Sequence, residues 1–164
     1  MRVELVRTKN LSLEVDYTAE DFDYYSNIIL ELVDLKKKTK TMIFKDNLLE
    51  LYNIVRRYKD EGIPELPQEI DDHSLGVMLN DIYQNDSEDK NNIEKYCAYI
   101  SLDCATWLFC KEKTFRLQIT PMYQDEADYK EFRKKCCTVF ASEIDSEELK
   151  RIADSIEELY KKLM

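Results

Sequence analysis

Apolar and polar positions alternate with a period of two along the opening of the chain. In "LSLEVDY" Leu11, Leu13 and Val15 take every second place, "VELVRT" precedes this run, and "NIILELVDL" and "KTKTMIF" follow it. The pattern predicts four strands of an antiparallel meander. Lys9-Asn10 supplies a turn between the first two strands, and the lysines at 36–38 form a hairpin tip between the last two. The period then changes. In "KDNLLELYNIVRRYKDEG" Leu48, Leu51, Tyr52, Val55 and Tyr58 recur at helical spacing. A helix is expected over 46–60, with Asp46 as N-cap, Arg56, Arg57 and Lys59 at the negative end of its dipole, and Gly62 as its stop.

The second half repeats the alternation. "YCAYISLD", "ATWLFCKE" and "TFRLQITPMY" are strand-like runs rich in aromatic and β-branched residues, with Lys111-Glu112-Lys113 as the hairpin turn between the last two. "DYKEFRKKCCTVFASEI" reads as a short helix passing into a strand. The chain ends on a helix over 146–163: Asp145 and Glu148 have capping-box spacing, and Leu149, Ile152, Ala153, Ile156, Leu159, Tyr160 and Leu163 make its apolar stripe. These elements give an α+β fold, expected as a single domain over 1–164 whose antiparallel sheet of about six to eight strands packs against the two main helices.

One segment breaks this texture. Residues 60–95 hold both glycines, two of the three prolines (Pro64 and Pro67) and the sole histidine, His73, and they are expected as an acidic excursion from the domain. Inside it "HSLGVMLNDIYQ" fits a strand or a short helix that docks the excursion on the core, while "PELPQEIDD" and "NDSEDKNN" read as solvated loops.

Composition sharpens the anomaly. The chain has 34 acids against 24 bases, a formal charge of −10. From Asp60 to Asp89 there are ten acids (Asp60, Glu61, Glu65, Glu69, Asp71, Asp72, Asp81, Asp86, Glu88 and Asp89) and no Lys or Arg, so the net charge resides in this one segment. At the chain's overall frequency of bases, a window of that length would hold about four. A solvated loop that aids solubility is the bland account. The alternative is a negative patch presented to a cationic partner, because clustered carboxylates steer and accelerate association.

The same charge argues against direct contact with nucleic acid or an anionic membrane, both of which repel it. The N-terminus lacks the apolar run of a secretory signal and no stretch has the length of a membrane span, so a cytoplasmic location is expected. The five cysteines (Cys97, Cys104, Cys110, Cys136 and Cys137) include no CxxC pair and fit a reducing compartment.

Candidate chemistry is sparse. Two glycines fourteen residues apart cannot build a phosphate-cradling loop, the acids of "NDSEDKNNIE" lack the spacing and glycine of a calcium loop, and the cysteines offer no pair of zinc hooks. No metal, cofactor or catalytic group is therefore assigned. An enzyme that uses a cysteine or His73 stays as a minor alternative. The partner-binding candidates are Glu65, Glu69, Asp71, Asp72, Asp81, Asp86, Glu88 and Asp89, joined by Tyr24 and Tyr25 of "DYTAEDFDYYSN", where amphipathic rings among acids resemble contact anchors.

The layout resembles that of the small cytoplasmic immunity proteins of bacterial polymorphic-toxin and contact-dependent inhibition systems. The resemblance rests on "LSLEVDY" with the loop "TAEDFDYYSN" after it, on "NIILELVDL" and "NLLELYNIVRRY", and on the closing "TVFASEIDSEELKRIADSIEELYKKL". It implies an inhibitor of one cognate toxin, often a nuclease, with no catalytic residues of its own. A basic toxin domain is the expected partner. An acidic protein of another kind, such as a phage-type nucleic-acid mimic with a different basic partner, is the alternative.

Overall fold

The period-two runs form strands because each offers one apolar face to bury. The computed structural model describes residues 1–18, 20, 22, 23, 25–125 and 128–164. The chain is α+β and divides into two compact units, Met1–Gly62 with Ile144–Met164, and Ile63–Glu143.

In the first unit β1 (Arg2–Arg7), β2 (Leu11–Tyr17), β3 (Asn27–Asp34) and β4 (Thr39–Asn47) make an antiparallel meander in sequence order. Leu11, Leu13, Val15, Ile28, Leu30 and Leu32 are buried on one face. Each such side chain contributes about 1.5–3 kcal/mol through burial. The tip between β3 and β4 is held by Asp34, whose carboxylate accepts from the backbone N–H of Lys36 and of Lys37 at 2.9 and 3.0 Å.

Helix α1 (Leu48–Glu61) starts two residues later than its pattern suggests, and Asn47 rather than Asp46 caps it, accepting from Glu50 N–H at 2.9 Å. The reason is β4: pairing with β3 runs through Ile28–Asp46 to Asn27–Asn47, which keeps Asp46 extended. Gly62, at φ 79°, ends the helix in a conformation that favours glycine.

Helix α4 (Ser146–Leu163) opens on a complete capping box: Asp145 accepts from Glu148 N–H at 2.8 Å and Glu148 accepts from Asp145 N–H at 3.0 Å. The rings of Tyr52 and Tyr160 stack between α1 and α4 at 4.1 Å. Asp145→Ala removes one half of this box, and an expected loss of about 1 kcal/mol should appear in urea unfolding followed by circular dichroism.

The second unit has its own sheet, ordered β5 (Cys97–Ile100), β6 (Cys104–Lys111), β7 (Thr114–Pro121) and β8 (Phe140–Ile144). The eight strands thus lie in two sheets of four, not in one. The four strands of the first half pair with one another in sequence order, and the stretch after α1 carries the chain to a separate set of strands. The hairpin between β6 and β7 turns on Glu112 and Lys113, both at positive φ (52° and 65°), the twist that a two-residue loop between right-twisted strands demands.

One face of β6 and β7 carries Ala105, Trp107 and Phe109 beside Arg116, Gln118 and Thr120. Helix α2 (Leu75–Gln84) brings Leu75 and Leu79 into the same core as Trp107, with Leu66, Ile93, Tyr96 and Cys97 completing it. The two main helices expected from the pattern are joined by α2 and by α3 (Tyr129–Lys135). Among the described residues no helix is long and apolar enough to cross a membrane.

Candidate functional site

The acidic segment is built into the second unit, not draped over it. Its N-terminal part lies beside β6 where β5 has ended: Leu66 N–H donates to Cys110 C=O at 2.8 Å, and Cys110 N–H donates to Pro64 C=O at 2.9 Å. Leu66 is buried, whereas its neighbour Glu65 is exposed. The chain then turns, with Ile70 N–H donating to Pro67 C=O, and leaves Glu69 exposed. Asp71 is exposed and caps a single 3-10 turn, Asp72–Ser74, by accepting from His73 N–H at 3.1 Å.

Asp72 has a different fate. It is buried, and its carboxylate is taken up inside the unit by Lys111 at 3.0 Å, Arg116 at 2.9 Å and Gln118 at 3.0 Å. Lys111 also donates to Ile70 C=O at 3.0 Å, so one cation holds both the carboxylate and the turn before it. Burial pushes the Asp72 carboxyl up, but the hydrogen bonds and charges of Lys111 and Arg116 outweigh it and hold the group below its ordinary range. Asp72 is therefore an internal anchor, and the expected solvated loop "PELPQEIDD" is tied down by it.

Asp81 on α2 is also engaged. Arg133 Nε lies 2.9 Å and Nη2 3.0 Å from its two carboxylate oxygens, and the Tyr129 hydroxyl donates to it at 2.5 Å. The Arg133 hydrogen bond lowers the Asp81 pKa most, and burial opposes it. Beyond α2, Asp86 and Glu88 are exposed, with Asp86 at φ 47° where the helix ends. Asp89 is half-buried and accepts from Glu94 N–H at 2.9 Å, ordering the turn into β5.

Of the ten proposed contact residues, Glu65, Glu69, Asp71, Asp86 and Glu88 are thus exposed acids with no ion pair among the described residues. Asp72, Asp81 and Asp89 serve the fold first. Tyr25 belongs to the first unit, where it is 87% exposed. Tyr24 lies outside the described residues.

The first unit handles its acids differently. Glu4, Glu14 and Glu31 stand directly opposite one another across β1, β2 and β3, an arrangement that repels. Cations answer it: Arg2 pairs with Glu14 and Glu31, Lys40 reaches Glu14 at 2.6 Å, and Arg7 reaches Glu4 at 2.7 Å. Lys59 similarly meets Glu157 at 2.6 Å.

The side chains of Asp71, Asp72 and His73 come within 4.8 Å of one another. Two cations at about hydrogen-bond distance already neutralise Asp72, so a metal ion placed there would meet like charge. Burial pushes the thiols of Cys104 and Cys136 up, away from the thiolate that nucleophilic attack requires.

The partners of Asp72 are the residues that sequence reasoning missed. A signal exists in "TFRLQIT": Arg116, Gln118 and Thr120 place a polar row at period two within an apolar strand, which demands polar groups from whatever covers it. Asp72 meets the first two, and Thr120 Oγ1 accepts from Trp107 Nε1 at 2.8 Å. Nearby, Asn80 on α2 is buried, donating to Gly76 C=O and Pro121 C=O and accepting from Tyr123 N–H. Comparison of the chain with protein-family models, curated proteins and solved structures finds no match.

Proposed function

We propose that this chain is a binding protein that neutralises a basic protein partner through the exposed acids of its second unit, acting as an immunity protein against a bacterial toxin, with a nuclease domain as the favoured target. The observation that carries this reading is the division among the acids. Asp72 and Asp81 are neutralised by cations within the unit, whereas Glu65, Glu69, Asp71, Asp86 and Glu88 face solvent without one among the described residues.

Preorganisation supports it further. The backbone bearing Glu65, Glu69 and Asp71 is pinned by the bridge to Cys110 and by the Asp72 anchor, so little ordering entropy is left to lose when a partner binds. Fixed negative charge on a rigid support raises the encounter rate with a cationic surface. A nuclease cleft, positive because it holds phosphates, is a fitting surface, and an acidic inhibitor that fills it excludes nucleic acid. On this reading the protein is a cytoplasmic inhibitor and performs no catalysis itself.

The identifying experiment is a pull-down from a bacterial lysate with the whole chain as bait at low and at high salt, followed by mass spectrometry. The reading expects a basic polypeptide retained at low salt, whose enzymatic activity is blocked by the purified protein. A retained partner that is acidic, or a basic one whose activity is untouched, counts against it.

A further inference from the structure

The pairing of Asp81 with α3 goes beyond a surface salt bridge. Helix α3 has seven residues, four of them basic (Lys130, Arg133, Lys134 and Lys135), and it buries none of them. Its half-buried stripe is Tyr129, Phe132 and, one position beyond the helix, Cys136; the Tyr123 ring packs edge-on against Tyr129 at 5.0 Å and against Phe132 at 5.4 Å. From this platform Arg133 presents its guanidinium as a fork to both oxygens of Asp81. The Arg133 side chain is 53% exposed and Asp81 29%. Arg133 thus lies where solvent and a competing cation can reach it, and the Tyr129 hydroxyl holds the same carboxylate by a separate bond.

We infer that Asp81 is a receptor for a partner's arginine, which Arg133 occupies in the free protein and yields on complex formation. This rests on the reading of the protein as a binder of basic surfaces, and it gives that surface a chemical preference. A planar fork suits a carboxylate that is already oriented, and a lysine ammonium cannot reproduce it. Of the four cations of α3 it is Arg133 that meets Asp81, whereas Lys134 pairs with Glu131 on α3 itself.

The test uses the whole chain and a dye-labelled nona-arginine peptide at low salt, read by fluorescence anisotropy. Arg133→Gln should bind the peptide about fivefold more tightly than the wild type, because it vacates Asp81. Lys134→Gln makes the same change in net charge without touching Asp81, and should stay within about twofold of the wild type. Adding Asp81→Asn to Arg133→Gln should cancel the gain, and nona-lysine should show a smaller gain than nona-arginine. In the wild type, the Arg133 Nε–H resonance should move toward its free position as the peptide saturates the protein, a readout that needs no variant.

Equal affinities for Arg133→Gln and Lys134→Gln, or an Arg133 resonance that does not move while the peptide binds, would overturn the inference and leave the acidic-surface reading standing. Failure of nona-arginine to bind any form would bring down both.

Discussion

Replacing Asp72 with alanine should cost the protein about 3 kcal/mol of stability, the low end of the range for breaking a buried ion pair from one side. The side chains of Asp72, Lys111 and Arg116 are 7%, 13% and 27% exposed, so truncation strands two cations in a poorly solvated place. Their partial exposure lets them relax toward water, which is why the low end applies. Gln118 loses its acceptor as well.

The loss is read conveniently, since Trp107 is the chain's one tryptophan and lies fully buried in the same unit. Urea unfolding followed by its fluorescence should show a lower midpoint for Asp72→Ala. A change under about 1 kcal/mol would mean that the anchor is not holding the segment.

The pH dependence follows with its sign. Because the folded-state pKa of Asp72 is lowered from its ordinary value of 3.8, the stability it contributes is fully present above that value and is lost as pH falls through the folded-state value. Asp72→Asn should remove this component of the acid transition and leave the dependence of stability on pH flatter below about pH 4.

Gly76→Ala is expected to cost about 2 kcal/mol, against the usual preference of helices for alanine. A Cβ at this position would stand 2.7 Å from Thr120 Cβ and 3.0 Å from both Thr120 Cγ2 and Oγ1. Thr120 has little freedom to yield, being 1% exposed and fixed by the bond from Trp107 Nε1. Helix α2 must then lift from β7, which strains the Asn80 bond to Pro121 C=O and loosens the packing of Leu75 and Leu79 around Trp107. A lowered urea midpoint with red-shifted tryptophan emission is the expected result. A variant at least as stable as the wild type would show that this contact is slack.

The contrast between local and distant interactions explains what the amino-acid pattern could reveal. Signals spanning a few residues were legible: the Asp145–Glu148 box, the alternation of Leu11, Leu13 and Val15, and the turn at Glu112-Lys113 all appear where their chemistry puts them. Strand pairing overrode a local signal at Asp46, which remains in β4 while Asn47 takes the cap. Helix α2 was ambiguous because it is short and contains a glycine, and that glycine is explained only by Thr120, far along the chain.

The candidate site was legible as a charge anomaly and illegible in its parts. Asp71 and Asp72 are neighbours in sequence, yet one faces solvent and the other is buried against residues 39 to 46 positions away. No local feature separates two adjacent aspartates. The same holds for Asp81, whose partner Arg133 is 52 positions distant. The division into two sheets was hidden for a related reason, since alternation marks a strand's faces but not its neighbours.

The central claim is that Glu65, Glu69 and Asp71 guide a basic partner to the second unit. It is tested most directly by the association rate of the captured partner with the wild type and with a Glu65→Lys, Glu69→Lys, Asp71→Lys variant, measured over a range of salt concentrations. All three positions are exposed and Asp71 alone also caps a turn, so the variant should lose no more than about 1 kcal/mol in urea unfolding. The account predicts association about tenfold slower or more at low salt, and a salt dependence that is shallower than the wild type's. An association rate that the three reversals leave unchanged, in a variant that is fully folded, would contradict it.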